Sequence, residues 1–449
     1  MISKLELFFA RVLPSPFTLS IVLTLFALIL SIFLGNFEGT DSTFIPTMKA
    51  WQSGLWNQDL LVFGYQMMLI LVLGHVLVLS KPMNALLELV STFASSNSKA
   101  IFLISISTML MGFFNWGLGL IFGAILARKI GEKSEREQLN INYPLIGALG
   151  YSGMMIWHGG ISGSAPLKAS EAGHLHSIMT NFPEGFPSEI STLETIFSGS
   201  NLIIFGVLLI SIPFIFSKLK YTGSSKTKLR LLSPSASNLR EETKHPLETN
   251  SVLNWIFGGL LLLCFFVVYS DDLLQLNITP NMLNFLMLGL GIALHKSIGN
   301  YLSSLGEAIR GASGILIQFP LYFGIIGLMR ESGLAVNFAQ FFIEISNENT
   351  LPIFTFISSG IVNIFVPSGG GQWAIQGPIA MESAAKLGVP IPKIIMALSY
   401  GDQVTNMLQP FWALPLLAIT KLKASDIFPF TFILFIIGSI IFLTGLLIF

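Results

Sequence analysis

Eleven stretches of this 449-residue chain contain no Asp, Glu, Lys or Arg, and that spacing of charge limits the fold more than any other feature. They run 12–37, 60–80, 100–127, 138–167, 195–217, 249–270, 273–295, 311–329, 349–381, 403–420 and 427–449. A spanning helix needs about 20 apolar residues. The pattern predicts an all-α polytopic membrane protein, because a helix satisfies its own backbone in lipid. Composition closes the alternatives. Charged residues make up 11% of the chain and hydrophobic ones 52%, whereas soluble domains carry about 25% charged residues. A soluble enzyme and a disordered chain are excluded. The balance of 24 basic and 24 acidic residues leaves no basic field for a nucleic acid. Cys264 is the single cysteine, so neither a disulfide framework nor a cysteine metal site is expected.

The N-terminus, with Lys4 and Arg11 ahead of an apolar run, has the shape of a signal sequence. Ile32-Phe33-Leu34-Gly35 is too bulky for a cleavage site, which predicts an uncleaved first span. Two stretches do not suit a straight rod. Residues 100–127 hold Gly112-Phe113-Phe114-Asn115-Trp116-Gly117-Leu118-Gly119 at their centre, and 349–381 hold Val366-Pro367-Ser368-Gly369-Gly370-Gly371. Pro and Gly interrupt helix, so each stretch is expected to be a re-entrant hairpin, with its irregular backbone lining a cavity.

Basic residues set the orientation. Loop 218–250 holds seven Lys/Arg against three acids, and 128–137 holds Arg128, Lys129, Lys133 and Arg136. Both are expected in the cytoplasm. Segment 168–194, with one Lys and four Glu, is expected outside. With both hairpins re-entrant these assignments give nine spans, N-terminus inside and C-terminus outside. With each hairpin as two full spans the chain crosses 11–13 times.

An internal repeat accompanies the hairpins. Ala148-Leu149-Gly150-Tyr151 matches Ala397-Leu398-Ser399-Tyr400, and Pro-Leu follows each Tyr by 15 residues, at Pro166 and Pro415. Asn115 precedes Pro144 by 29 residues, as Asn363 precedes Pro392. Each half thus reads as a hairpin followed by a broken helix. The first covers 1–217, with a hairpin near 100–127 and a broken helix near 143–167. The linker is 218–250. The second half covers 251–449, with a hairpin near 349–381 and a broken helix near 391–416. In the nine-span topology the copies run in opposite directions, the inverted repeat of many secondary transporters.

The run Val366-Pro367-Ser368-Gly369-Gly370-Gly371-Gln372-Trp373-Ala374-Ile375-Gln376-Gly377-Pro378 resembles the motif of the bacterial short-chain fatty acid transporter family. Ser399-Tyr400-Gly401-Asp402-Gln403 and the chain length agree with it, and the resemblance spans essentially the whole chain. It implies uptake of short-chain fatty acids, of the butyrate and acetoacetate class, across the inner membrane, and the hairpins and midplane breaks suit cation-coupled alternating access better than a channel. It also implies kinship with the wider ion transporter superfamily, in which a scaffold holds a transport domain of two hairpins and two broken helices. Relatives there often dimerise through the scaffold, which leaves a homodimer as an open expectation. No cofactor is expected beyond a coupling ion, Na+ or H+.

Each candidate site residue has a bland reading beside the functional one. Ser368 and Gly369, Gly370 and Gly371 form either a nest of N–H groups for a carboxylate or a bend that needs glycine. Asn363, Gln372 and Gln376 orient the ligand or cap the hairpin, and Asn115 and Trp116 are their first-half counterparts. Trp373 walls an acyl chain or simply packs. Asp402 is the acid of the second broken helix, and an intramembrane acid is expected to serve in function. It is assigned to ion coupling, with Thr405 and Asn406 beside it. His158, at the first break, contacts substrate or caps a helix end. His75 and Glu382 are weaker candidates, and Cys264 reads as packing. His174 and His176 read as a solvated loop rather than a metal site. Two rival functions remain: transport of C4-dicarboxylates or other small carboxylates, and an intramembrane serine hydrolase built on Gly160-Ile161-Ser162-Gly163.

Overall fold

A computed structural model describes residues 8, 14–37, 42–179, 186–219, 246–274 and 279–449. Among them every regular element is helical. Most of the basic loop used for orientation, 220–245, lies outside the described residues. Among the described residues six helical stretches are long and apolar enough to cross a membrane: Pro16–Leu34, Phe44–Leu79, Asn97–Phe114, Gly199–Lys218, Ser251–Val268 and Ala424–Ile448. Shorter apolar helices accompany them. The chain is therefore a multi-pass membrane protein.

Helix α1 (Pro16–Leu34) starts at Ser15, whose hydroxyl accepts the Thr18 N–H at 3.2 Å. The same device, a Ser, Thr or Asn oxygen on an otherwise unpaired first-turn N–H, starts most of the long helices. Helices α2 (Phe44–Leu55) and α3 (Gln58–Leu79) follow, then α4 (Lys81–Ser91). The charge gaps missed α2 because Lys49 divides its apolar residues.

Helices α5 (Asn97–Phe114) and α6 (Trp116–Arg136) are joined by Asn115 alone. Asn115 has extended backbone, and its side chain caps α6 through the Leu118 N–H at 3.0 Å. Helix α6 runs nine residues beyond the charge-free stretch that ended at 127. It does so because its charges are answered locally. Arg128 and Lys129 each reach Glu132 at 2.9 Å. Buried Lys133 donates to the Ser91 and Thr92 carbonyls at 3.0 Å, at the C-terminal end of α4, where a cation is favoured.

Next come α7 (Tyr143–Gly150), two 3-10 turns (Ser152–Met155 and Trp157–Gly159), α8 (Ser164–Ala169) and α9 (Gly199–Lys218). Helices α10 (Ser251–Val268) and α11 (Pro280–Leu294) pack together. Buried Asn254 on α10 donates to the Ile292 and His295 carbonyls at the end of α11. Helix α12 (Ile298–Glu331) is a single 34-residue element, far longer than its charge-free stretch, because Glu307 and Arg310 lie within it.

After α13 (Leu334–Glu344), helices α14 (Leu351–Phe365) and α15 (Gly369–Leu387) flank the Pro-Ser turn. Helix α16 (Ile391–Thr405), a 3-10 turn (Asn406–Leu408) and α17 (Pro410–Thr420) form the second interrupted helix. Helix α18 (Ala424–Ile448) ends the chain.

Two packing groups result. Helices α1, α2, α3, α10 and α11 gather around α12 or on each other. Helices α5, α6 and α7 pack with α9, α17 and α18, while α14, α15 and α16 pack together and reach α18 and the first break. Each group draws helices from both halves of the chain. The second group surrounds the candidate site.

Candidate functional site

Four interruptions of helix meet in the second group. At the first break Ile161 donates its N–H to the Phe113 carbonyl at 2.7 Å, and Ser162 Oγ accepts the Trp116 N–H at 3.0 Å. The first hairpin tip is thereby tied to the first break. The second hairpin tip approaches the same break from another side. A Cβ built on Gly369 falls 2.7 Å from Trp157 and 2.9 Å from His158. Only glycine fits there, and its neighbour Gly370 faces Ser164.

The two breaks are tied to each other. Asn406 donates to the Met154 carbonyl at 3.0 Å, and Tyr151 Oη donates to the Asn406 carbonyl at 3.1 Å. Gln403 Oε1 accepts the Gly159 N–H at 2.9 Å. Asn201, buried on α9, donates to the Gly159 carbonyl at 2.8 Å and accepts from Tyr400 Oη at 2.9 Å. Side chains thus satisfy backbone groups that broken helices leave unpaired, as buried backbone requires.

The central feature is a pair, His158 and Asp402, with side chains 0% and 1% exposed. His158 Nε2 accepts the Ala165 N–H at 3.0 Å, so the neutral ring carries its hydrogen on Nδ1. Nδ1 lies 3.0 Å from Asp402 Oδ1. The approach is close but off the N–H direction, and neither carboxyl oxygen of Asp402 has an aligned donor among the described residues. Trp157 stacks on the His158 ring at 4.5 Å and 14°. Trp116 and Trp412 extend this aromatic wall, with ring centres 5.3 Å apart.

Asn363 lies in α14 rather than at the hairpin tip. Its amide donates to the Asp402 carbonyl, Thr405 Oγ1 and Asn406 Oδ1 at 2.7, 3.0 and 3.1 Å. Gln409 in turn donates to the Asn363 carbonyl at 2.9 Å. Asp402, Thr405, Asn406 and Asn363 are therefore one cluster. Gln372 donates to the Ser359 carbonyl and hydroxyl and to Gln376 Oε1, each at 2.7 Å, while its own Oε1 is buried and unpaired. Ser368 is the N-cap of α15 and accepts the Gly371 N–H at 3.3 Å. The glycine run is thus a helix N-terminus, a position that favours an anion.

Trp373 is placed apart from the His158–Asp402 pair. It sits in a separate buried cluster with Ala165, Leu175 and Ile394, and its Nε1 donates to His174 Nε2 at 3.1 Å. Glu382 is tied to Lys386 at 2.8 Å. His75 lies on α3, in the other packing group. Cys264 is exposed on α10. No cluster of three metal-ligating side chains occurs among the described residues. Sequence reading passed over Trp157, Asn201, Gln403, Gln409 and Trp412. Nearness to the breaks signals all but Asn201, which lies 38 residues beyond Gly163.

The family model described as short chain fatty acid transporter matches residues 1–449. An Escherichia coli (strain K12) protein named "Putative short-chain fatty acid transporter" is 36% identical and aligns over 98% of both chains. The Haemophilus influenzae protein of the same name is 34% identical, with 98% of this chain and 97% of that one covered. Among solved structures, the YdaH transporter of Alcanivorax borkumensis aligns over 97% of both chains, with a TM-score of 0.40 and 13% identity. MtrF of Neisseria gonorrhoeae, described within a class of antimetabolite efflux pumps, aligns over 98% of this chain and 96% of its own, with a TM-score of 0.38 and 17% identity. Matched along its whole length by the family model and by two relatives more than a third identical, the chain belongs to the short-chain fatty acid transporter family.

Proposed function

We propose that the protein is a secondary active transporter that takes up short-chain monocarboxylates across the inner membrane, coupled to a cation by alternating access. The observation that carries this reading is Asp402, buried, without an aligned donor, and 3.0 Å from His158. A buried carboxylate is costly unless it is paired or neutralised. A proton or Na+ arriving with the substrate supplies that charge and leaves again on the other side. His158, its Nε2 held by the Ala165 N–H, keeps its Nδ1 side turned toward that carboxylate. Asn363, Thr405 and Asn406 hold the backbone and side chains around Asp402 in register.

The substrate carboxylate is assigned to the N-terminus of α15, at Ser368–Gly371, facing Trp157 and His158. The inventory of charge supports this. No Lys or Arg occurs in 349–381, 138–167 or 394–420, so helix N–H groups and a co-transported cation must balance the ligand. One negative charge suits such a site better than two. The two hairpins and two broken helices act as inverted repeats, re-entering the membrane from opposite sides. The hydrolase reading lacks a base, since the Ala165 N–H occupies His158 Nε2 and the Trp116 N–H is held by Ser162.

The test is uptake of labelled butyrate into proteoliposomes under separately imposed proton and sodium gradients. Accumulation should follow one gradient, and competitors should rank butyrate above acetate and acetate above succinate, since each buried methylene contributes roughly 0.8 kcal/mol. Accumulation under neither gradient defeats the coupling. Succinate as the strongest competitor replaces the monocarboxylate with a dicarboxylate.

A further inference from the structure

A small cleft of about 50 Å3 lies between α3, α4, α6 and the end of α17, and the transport scheme above makes no use of it. Val78, Ile125 and Ile419 line its apolar part, while Arg128 and Lys129 enter it from α6. Their side chains are 16% and 12% exposed. One carboxylate, Glu132, receives both at 2.9 Å. Arg128 gives one further N–H to the Ile419 carbonyl at 3.3 Å, and Lys129 gives one to Asn84.

A guanidinium carries five N–H donors and an ammonium three, so most of the guanidinium and part of the ammonium have no protein acceptor in these contacts. His75, 5% exposed, adds a buried Nε2 without an aligned partner, and its nearest acid, Glu307, stands 3.8 Å off. Lys421 acts electrostatically on both Arg128 and His75. Two cations in the cleft lining, Arg128 and Lys129, therefore share a single lining carboxylate, Glu132. Surplus donors beside an apolar wall are the complement of a small amphipathic anion.

We propose that this cleft is a second binding site for a short monocarboxylate, with its carboxylate on Arg128 and its alkyl chain against Ile125 and Ile419. The identity of the ligand rests on the transport reading; the location does not. Because α3 and α6 belong to different packing groups, an anion here bridges them. Occupancy from the Arg128 side then slows turnover, so accumulated product restrains its own import.

The test uses the full chain with Cys264→Ser and a reporter thiol, Leu79→Cys, on the cleft wall. A negatively charged methanethiosulfonate reagent is the probe, and butyrate is the protecting ligand. Butyrate should slow labelling roughly fivefold at about four times its dissociation constant, and chloride at equal ionic strength should not. Arg128→Gln should abolish protection, and Lys129→Gln should weaken it and serves if the first variant does not fold. Protection should persist in Asp402→Asn, where coupling at the central site is disabled. Absence of protection, protection that survives both cation variants, or protection lost in Asp402→Asn overturns the second site. Protection without butyrate transport in proteoliposomes defeats the transport reading and leaves the cleft standing. Transport without protection does the reverse.

Discussion

Asp402 places two carboxyl oxygens out of reach of water with one ring nitrogen beside them. Asp402→Asn preserves shape and removes the charge. It should abolish gradient-driven accumulation while leaving thermal unfolding of the detergent-solubilised protein nearly unchanged. Wild-type accumulation in that variant would make Asp402 structural. The residue was legible from sequence because an acid inside a broken apolar stretch stands out. Its partner was not, because His158 and Asp402 are 244 positions apart. Asn363 was legible as a hairpin residue, but its contacts with Asp402, Thr405 and Asn406 were not, because spacing fixes a position along the chain and not the neighbour it touches. Trp373 shows the same limit, since its indole turns toward His174 rather than the pair. That contact predicts a pH effect. His174 is held below the ordinary imidazole value of 6.5, chiefly by partial burial, with Lys168 lowering it further and Glu171 opposing. The native state thus prefers the neutral ring that accepts from Trp373. Stability from this contact is fully present above pH 6.5 and is lost as pH falls below it. Trp373 fluorescence should change on acidification, and His174→Gln should flatten that change; an unchanged titration in the variant would exclude His174.

At the scale of elements, α6 crosses the first interrupted helix at a contact too close for a side chain. A Cβ on Gly123 falls 1.9 Å from the Gly150 carbonyl oxygen and 2.8 Å from Thr108. Backbone must move to admit it, so Gly123→Ala should lose about 1–3 kcal/mol, read as a lower unfolding midpoint in detergent. Gly259 on α10 has nothing within 4 Å, and Gly259→Ala should be neutral or stabilising by up to about 1 kcal/mol. Equal effects at both positions would refute the close contact. Charge gaps located most of the helices because lipid leaves few other uses for long apolar runs. They failed where charges are answered within the fold. Lys49 hid α2, the Glu132 pairings carried α6 onward, and Glu307 and Arg310 concealed the length of α12.

For the whole molecule, orientation is the claim with the most reach. Basic residues predict a cytoplasmic 218–250 segment and an outside 168–194 segment. Single cysteines at Ser224 and Ser177, in a Cys264→Ser background, should label from opposite faces of oriented vesicles. Labelling from the same face would defeat the proposal that the two halves run in opposite directions. The fold class was legible because composition alone demands a membrane. The two packing groups were not, since each takes helices from both halves and only long-range contacts sort them.

The ties between the two breaks bear on how the chain is made. Met154 and Gly159 depend on Asn406 and Gln403 for partners that their own half does not supply. A ribosome working at ~5–20 residues per second needs on the order of ten to fifty seconds to travel between those positions. Through that interval these two hydrogen bonds cannot form. The first break therefore acquires its full set of partners only after the second half has been made.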